Sequence, residues 1–264
     1  MAMKRPTRAH PVGGRRTRTG TRASLLGIAL AAGVLAAAAV ATIVVARRRP
    51  SPRSTPPVCA PGPTVRGIDV SYYQEAIAWK RVRGEGIAFA FIRATDGVAP
   101  VDPRFLANWA DAKRAGVLRG AYQFFRPTES AVAQADALIA ALGPDPGELP
   151  PVIDVEVTDG ISSAKLVARV QAWVDRVRTR LHVEPIVYTA PGLWPGGPPA
   201  LAAQPLWVAH YTDACPRVPP PWTHWAFWQF SERGEIAGIG PSVDLDVFAG
   251  SFDDLEAFAR AAKR

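Results

Sequence analysis

The first 58 residues contain no acid, residues 23 to 46 contain no charge, and the whole chain has two cysteines and four histidines. Each scarcity narrows the field. His10, His182, His210 and His224 are scattered without ligand spacing, so no metal site is expected. There is no glycine-rich phosphate loop either, and no cofactor is expected. With Cys59 and Cys215 alone, at most one disulfide can form. Outside the cytoplasm that bridge would tie a linker to its domain and contribute roughly 5 kcal/mol at best by loop entropy. Two free thiols are the other reading, because sequence alone shows no proximity.

The net charge of +8 suggests nucleic acid until the charges are located. Eleven of the 31 cations precede residue 59; the remainder holds 20 cations against 23 acids, a net of −3. The folded part is therefore mildly acidic, and no nucleic-acid partner is expected. At 264 residues and 48% hydrophobic content, the chain can bury one full-sized core.

Residues 23–46 are long enough to span a bilayer as a helix, which needs about 20 residues. Seven cations precede the run and four follow it, a bias that favours the N-terminus inside. The expected organisation is a basic cytoplasmic tail at 1–22, a transmembrane signal anchor at 23–46, a Pro-rich spacer at 47–63 and an extracytoplasmic domain at 64–264. The expected location is the cell membrane. Secretion after cleavage near Ala39 or Ala41 is the alternative. Arg15-Arg16 lacks the apolar residues expected just after a twin-arginine pair.

From Thr64 short apolar runs alternate with longer amphipathic ones. Strands are expected at Val65–Val70, Ile87–Ala94, Gly120–Phe125, Val152–Val157, Pro185–Thr189, Leu206–Tyr211, Trp225–Phe230 and Val243–Phe248. Helices are expected at Pro103–Ala115, Ala131–Leu142, Ser163–Leu181 and Phe252–Ala262, with weaker signals at Ala76–Arg83 and Ala200–Ala203. Such alternation points to a parallel sheet. Eight strands with few long helices in the second half suggest an α/β barrel closed by short connections.

In such barrels the chemistry sits at the C-terminal ends of the strands. Pro150-Pro151-Val152-Ile153-Asp154-Val155-Glu156-Val157 carries two acids two residues apart, which on a strand look the same way. Two carboxylates at the end of an apolar strand must be solvated, paired or partly neutral. Partial neutrality would leave a proton donor, Glu156, beside an ionised acid. A lone Asp-x-Glu is more often a pair of loop-end acids that cap the helix that follows. Its weight comes from company: Asp69, Asp96 and Asp244 with Asp246 fall at strand ends, as do Tyr122, Tyr188, Tyr211 and Gln229. Asp96-Gly97 is also a common turn dipeptide, Asp244 and Asp246 could alternate on a solvent-facing edge, and Trp207, Trp222, Trp225 and Trp228 fit a plain core.

The series Gly67-Ile68-Asp69-Val70-Ser71, Phe89-Ala90-Phe91-Ile92-Arg93-Ala94-Thr95-Asp96-Gly97, Gly120-Ala121-Tyr122-Gln123-Phe124-Phe125, Asp154-Val155-Glu156, Leu206-Trp207-Val208-Ala209-His210-Tyr211, Trp228-Gln229-Phe230-Ser231 and Val243-Asp244-Leu245-Asp246 resembles glycoside hydrolase family 25. The likeness runs from about Val65 to about Phe248. It implies a TIM-like (β/α)5(β)3 barrel and a lysozyme that cleaves peptidoglycan between N-acetylmuramic acid and N-acetylglucosamine. It implies Glu156 as proton donor, Asp154 as its acidic partner, and Asp69 and Asp244 as the rest of the acidic floor. Arg93, Tyr122, Tyr188, Tyr211 and Gln229 would contact the sugar. Arg93 stands where the family usually has lysine, Gln123 replaces a frequent histidine, Asp96 a frequent glutamate and Asp246 a frequent asparagine.

Two rival functions remain on sequence grounds. A tethered peptidoglycan-binding module without catalysis should lack one of the four acids, and all four are present. A hydrolase of another amino-sugar polymer such as chitin should carry several alternating acids on the fourth strand, which Val152 and Thr158 do not supply.

Overall fold

In the computed structural model of the chain, residues 59–194 and 198–261 are described. The tail at 1–22, the apolar run at 23–46, the spacer up to residue 58 and Ala262 lie outside the described residues. Among the described residues no helix is long and apolar enough to cross a membrane.

Eight strands, β1 (Thr64–Val70), β2 (Phe89–Asp96), β3 (Leu118–Phe124), β4 (Val152–Val155), β5 (Ile186–Thr189), β6 (Leu206–Ala209), β7 (Phe227–Gly234) and β8 (Val243–Ala249), close into a barrel in sequence order. The helices are α1 (Trp79–Gly84), α2 (Phe105–Ala115), α3 (Ala131–Leu142), α4 (Ser163–Leu181) and α5 (Phe252–Ala261). The first four follow β1 to β4, whereas among the described residues β5 is followed only by a 3-10 turn at Pro199–Leu201. The fifth β/α unit is thus reduced to a single turn.

Helix α4 shows why these segments fold as they do. Leu166, Val170, Trp173, Val174 and Val177 recur every three or four residues and are all buried, so one stripe faces the barrel. The Ser162 hydroxyl accepts from the Lys165 N–H to cap its start. On the strands the period is two. Ile68, Val70, Ala90 and Ile92 point outward to the helices, while Val65, Phe89, Phe91, Phe227 and Phe248 fill the interior. Gly67 and Gly120 leave room for that filling: a Cβ would lie 2.2 Å from the Phe89 ring at the first and 2.6 Å from the Phe91 ring at the second.

The expectation of a parallel sheet holds for β1 to β7, and β8 corrects it. β8 runs antiparallel to both β7 and β1. The link from Glu235 to Ser242 is too short for the crossover that a parallel neighbour needs. Two expected strands also end early: β4 stops at Val155, so Glu156 lies just past it, and β6 stops at Ala209, before Tyr211.

Cys59 and Cys215 form a disulfide with Cα atoms 5.2 Å apart. It pins the segment before β1 to the β6–β7 connection, 156 residues away in sequence.

Candidate active site

Register brings the acids to one rim. Asp154 of β4 stands beside Tyr188 of β5, Tyr188 beside Trp207 of β6, and Arg93 of β2 beside Tyr122 of β3. Asp69, near the C-terminal end of β1, pairs with Asp244, near the N-terminal end of β8. Asp244 reaches the shared rim because β8 is reversed.

There the barrel opens into a cleft of about 310 Å3. The nine residues expected to act on or contact the sugar line it: Asp69, Arg93, Tyr122, Asp154, Glu156, Tyr188, Tyr211, Gln229 and Asp244. So do Ser71, Tyr73, Gln74, Phe124, Trp207 and Glu232, which sequence reasoning did not assign to the site. Trp207 forms the floor, stacked on Phe91 with ring centroids 4.4 Å apart and meeting Tyr188 edge-on at 4.4 Å. Its indole N–H donates to Asp246 Oδ1 at 2.9 Å.

Gln229 joins the two sides. Its Oε1 accepts from Tyr188 Oη at 2.7 Å and from Tyr211 Oη at 2.8 Å, and its Nε2 donates to Asp69 Oδ2 at 2.6 Å. Both lone pairs of the amide oxygen are used, which fixes the amide's orientation.

The carboxyls fall into two groups. Asp69, Asp244 and Asp246 are in hydrogen-bonding contact, which requires protons among them. Burial, then the charges of Asp244 and Asp246, hold Asp69 well above the usual carboxylate range. Asp246 is held well up by burial and by Asp244, and Asp244 is pushed up to about 6, chiefly by burial.

Asp154 and Glu156 form the second group, their carboxyls in contact with each other. Asp154 is buried and Glu156 opens to the cleft. Burial, then the neighbouring Glu156, raises Asp154 well above the ordinary range; burial also raises Glu156, against the opposing influence of Asp154 and Tyr188. The two therefore share a proton. Asp154 Oδ1 is buried and receives no hydrogen bond from any N–H or hydroxyl among the described residues. The carboxyl thus keeps acceptor capacity for a donor entering the cleft. Burial also keeps the phenols of Tyr122, Tyr188 and Tyr211 protonated; Tyr188 and Tyr211 give their protons to Gln229.

Arg93 is oriented by Asp102, which sequence reasoning missed. Arg93 Nε donates to Asp102 Oδ2 at 3.0 Å, and Asp102 also accepts from the N–H groups of Tyr72 and Arg104. The position of Asp102, two residues before Arg104 and just ahead of α2, reads from sequence only as a helix-start residue.

Three other acids or amides have different places. Asp96 is bound bidentate by Arg126, at 2.6 and 2.8 Å, outside the cleft lining. Gln123 is buried, donating to Thr95 Oγ1 and accepting from the Trp173 indole. Asp246 is not solvent-facing, because a closed barrel has no edge strand: it is buried beneath Trp207. Among the described residues no group of His, Cys, Asp or Glu is arranged to hold a metal ion.

Comparison with known proteins places this geometry. Residues 68–239 match the sequence model of glycosyl hydrolases family 25. Lysozyme M1 of Streptomyces globisporus is 37% identical over 209 residues, covering 74% of this chain and 71% of that protein. The N,O-diacetylmuramidase of Chalaropsis is 31% identical over 214 residues, covering 74% and 99%. Among solved structures, the bacterial lysozyme from Streptomyces coelicolor superposes with a TM-score of 0.70 at 35% identity, covering 75% of this chain and 98% of that one.

Proposed function

The chain belongs to glycosyl hydrolases family 25, and from that premise we propose that Glu156 protonates the glycosidic oxygen of the β-1,4 bond between N-acetylmuramic acid and N-acetylglucosamine. It is a glycoside hydrolase of the lysozyme type, with peptidoglycan as its substrate class.

The contact between the carboxyls of Asp154 and Glu156 carries the residue assignment. A pair flanking the scissile bond sits about 5 Å apart in retaining enzymes and about 6.5–9.5 Å apart in inverting ones. Touching carboxyls lie on the same side of the bond and divide the work. Glu156, the more open of the two, takes the shared proton and gives it to the leaving oxygen. Asp154, left as the anion, accepts the N–H of the sugar's acetamido group and stabilises the positive charge that develops on the ring. That N–H contact favours attack by the acetamido oxygen on the anomeric carbon, with water then opening the cyclic intermediate. Asp69 and Asp244, across the cleft, anchor sugar hydroxyls, and Tyr122, Tyr188 and Tyr211 line the sugar site.

Mass spectrometry of the fragments released from purified peptidoglycan tests this reading. Fragments ending in reducing N-acetylmuramic acid are expected from the wild type and not from Glu156→Gln. Equal release by both proteins would sink the assignment.

We also read residues 23–46 as a single-pass anchor holding residues 64–264 outside the cytoplasm. The uncharged run supports this, as does a disulfide suited to an oxidising compartment. Intact mass of the membrane fraction after an alkaline wash should give the full 28.3 kDa chain. A shortened chain in the medium would show cleavage instead.

A further inference from the structure

We propose that Arg93 makes this cleft select sugars that carry a carboxylate over neutral amino sugars. The inference rests on the lysozyme reading for its substrate and on the local structure for the rest. The acid would be the lactyl carboxylate of a muramyl unit or a carboxylate of the peptide attached there.

Charge is the first reason. Among the described residues lining the cleft, Asp69, Asp154, Glu156, Glu232 and Asp244 are acids and Arg93 is the one cation. Even with protons shared among these acids, Arg93 is the one place in the lining where an anion meets a favourable charge.

The second reason is how Arg93 is held. The β2–β3 register slips by one residue between Arg93 and Thr95, a bulge of the kind that re-aims a side chain at a barrel rim. Asp102 engages only the Nε edge of the guanidinium, through one oxygen. That same Oδ2 also accepts from the Tyr72 N–H, and Oδ1 accepts from the Arg104 N–H, so Asp102 is locked in place. The rings of Tyr72 and Tyr73 lie 4.8 and 5.5 Å from the guanidinium carbon. The side chain is thus gripped on one edge and one face, Tyr72 also hydrogen-bonds to it, and among the described residues no carboxylate other than Asp102 bonds it. Arg126, by contrast, spends Nε and Nη2 on both oxygens of Asp96. A planar fork that gives a single bond to its one carboxylate partner, in a sheltered cleft, suits a second carboxylate.

A competing role for Arg93 is purely electrostatic, since it also favours the ionised forms of Asp154 and Tyr122. That role would alter turnover whatever the sugar carries. The carboxylate role alters binding only when the acid is present.

The test is equilibrium binding to the full chain, followed by tryptophan fluorescence. The four ligands are the disaccharide N-acetylglucosaminyl-N-acetylmuramic acid, its methyl ester, its peptide-bearing form and chitobiose. Neither the disaccharide nor chitobiose contains the scissile bond. The wild type should bind the free acid about tenfold or more tighter than the ester and chitobiose, as a charge-assisted hydrogen bond implies. If the peptide supplies the carboxylate, that preference appears only with the peptide-bearing form. Arg93→Gln should lose the preference while keeping its affinity for the ester. Arg93→Lys, which keeps a point charge, should retain part of it and carries the test if the glutamine variant misfolds. A wild type without preference, or an Arg93→Gln loss equal on acid and ester, overturns the proposal. Release of fragments from sacculi reads the lysozyme assignment separately: no release with the preference intact sinks that assignment alone.

Discussion

Asp69 and Asp244 face each other across the antiparallel β1–β8 ladder, and their carboxyls cannot both be fully ionised at that contact. The reversed eighth strand is what creates the pair. A parallel β8 would have carried Asp244 to the far end of the barrel.

Stability should therefore fall as pH rises through this cluster. Asp244 is pushed up to about 6 from an ordinary value of 3.8, so between those values the folded state binds more protons than the unfolded chain. By linkage the contribution is fully present below about pH 4 and is lost as pH rises through 6. Its size is on the order of 3 kcal/mol. Denaturant unfolding of wild type and Asp244→Asn at pH 4.5 and pH 7 should show the wild type losing more than the variant. An equal loss in both would contradict the placement of the proton.

Glu156→Gln should lower kcat by about a thousandfold, within the range for removing a general acid. Because Glu156 is open to the cleft, its Tm should stay within about 2 °C of wild type, as expected for a surface change. The wild-type rate should also decline on the alkaline side as Glu156 loses its proton, at a pH above the ordinary glutamate value. A flat alkaline limb would place the acid elsewhere.

Periodicity made most of this fold legible. All eight strands and the helices at Ala131–Leu142 and Ser163–Leu181 lie where apolar spacing puts them. The direction of β8 was not legible, because antiparallel closure depends on a link too short to cross over and not on the strand's own pattern. Nine of the side chains singled out line the cleft, since strand-end position is visible in sequence, whereas Asp96 and Asp246, also at or near strand ends, do not. Asp102 and Trp207 were missed for opposite reasons. Asp102 acts from a loop, through a contact nine residues from Arg93. Trp207 looks like core, and it is core that also forms the cleft's floor.

Gln229→Leu should damage both sides of the cleft together. It removes one donor to Asp69 and the shared acceptor of Tyr188 and Tyr211, leaving the buried Asp69 and Tyr188 groups short of partners, while Tyr211 is half exposed. Each such group costs about 1–3 kcal/mol, so a stability loss of roughly 3 kcal/mol is expected. KM and kcat should both worsen. Gln229→Glu keeps the shape and the acceptor but places another negative charge beside Asp69, so it should rescue stability only at acidic pH. Full stability of the leucine variant at pH 7 would mean the amide organises nothing.

The far end of the barrel should answer pH in the opposite sense. Arg119 is fully buried near the start of β3, bonded to Glu148 at 2.7 Å and to Asp145 at 3.1 Å, with its guanidinium carbon 4.5 Å from the Trp109 ring centroid. Hydrogen bonds from Arg119 and Lys113 hold Asp145 down to about 2, and Arg119 holds Glu148 down as well. For Asp145 the sign is that of a depressed acid: its contribution is present above about pH 4 and lost as pH falls towards 2. The Asp145 side chain is 37% exposed, so solvent screening limits its share to about 1 kcal/mol. Arg119→Leu removes the shared partner of two acids that are each about one-third exposed and should cost about 2 kcal/mol at pH 7. At pH 2.5, where those acids are largely protonated in the variant, the cost should shrink. Urea unfolding of both proteins at the two pH values measures the difference directly. A penalty that is equal at both would mean that Arg119 stabilises by packing against Trp109 and not through its acids.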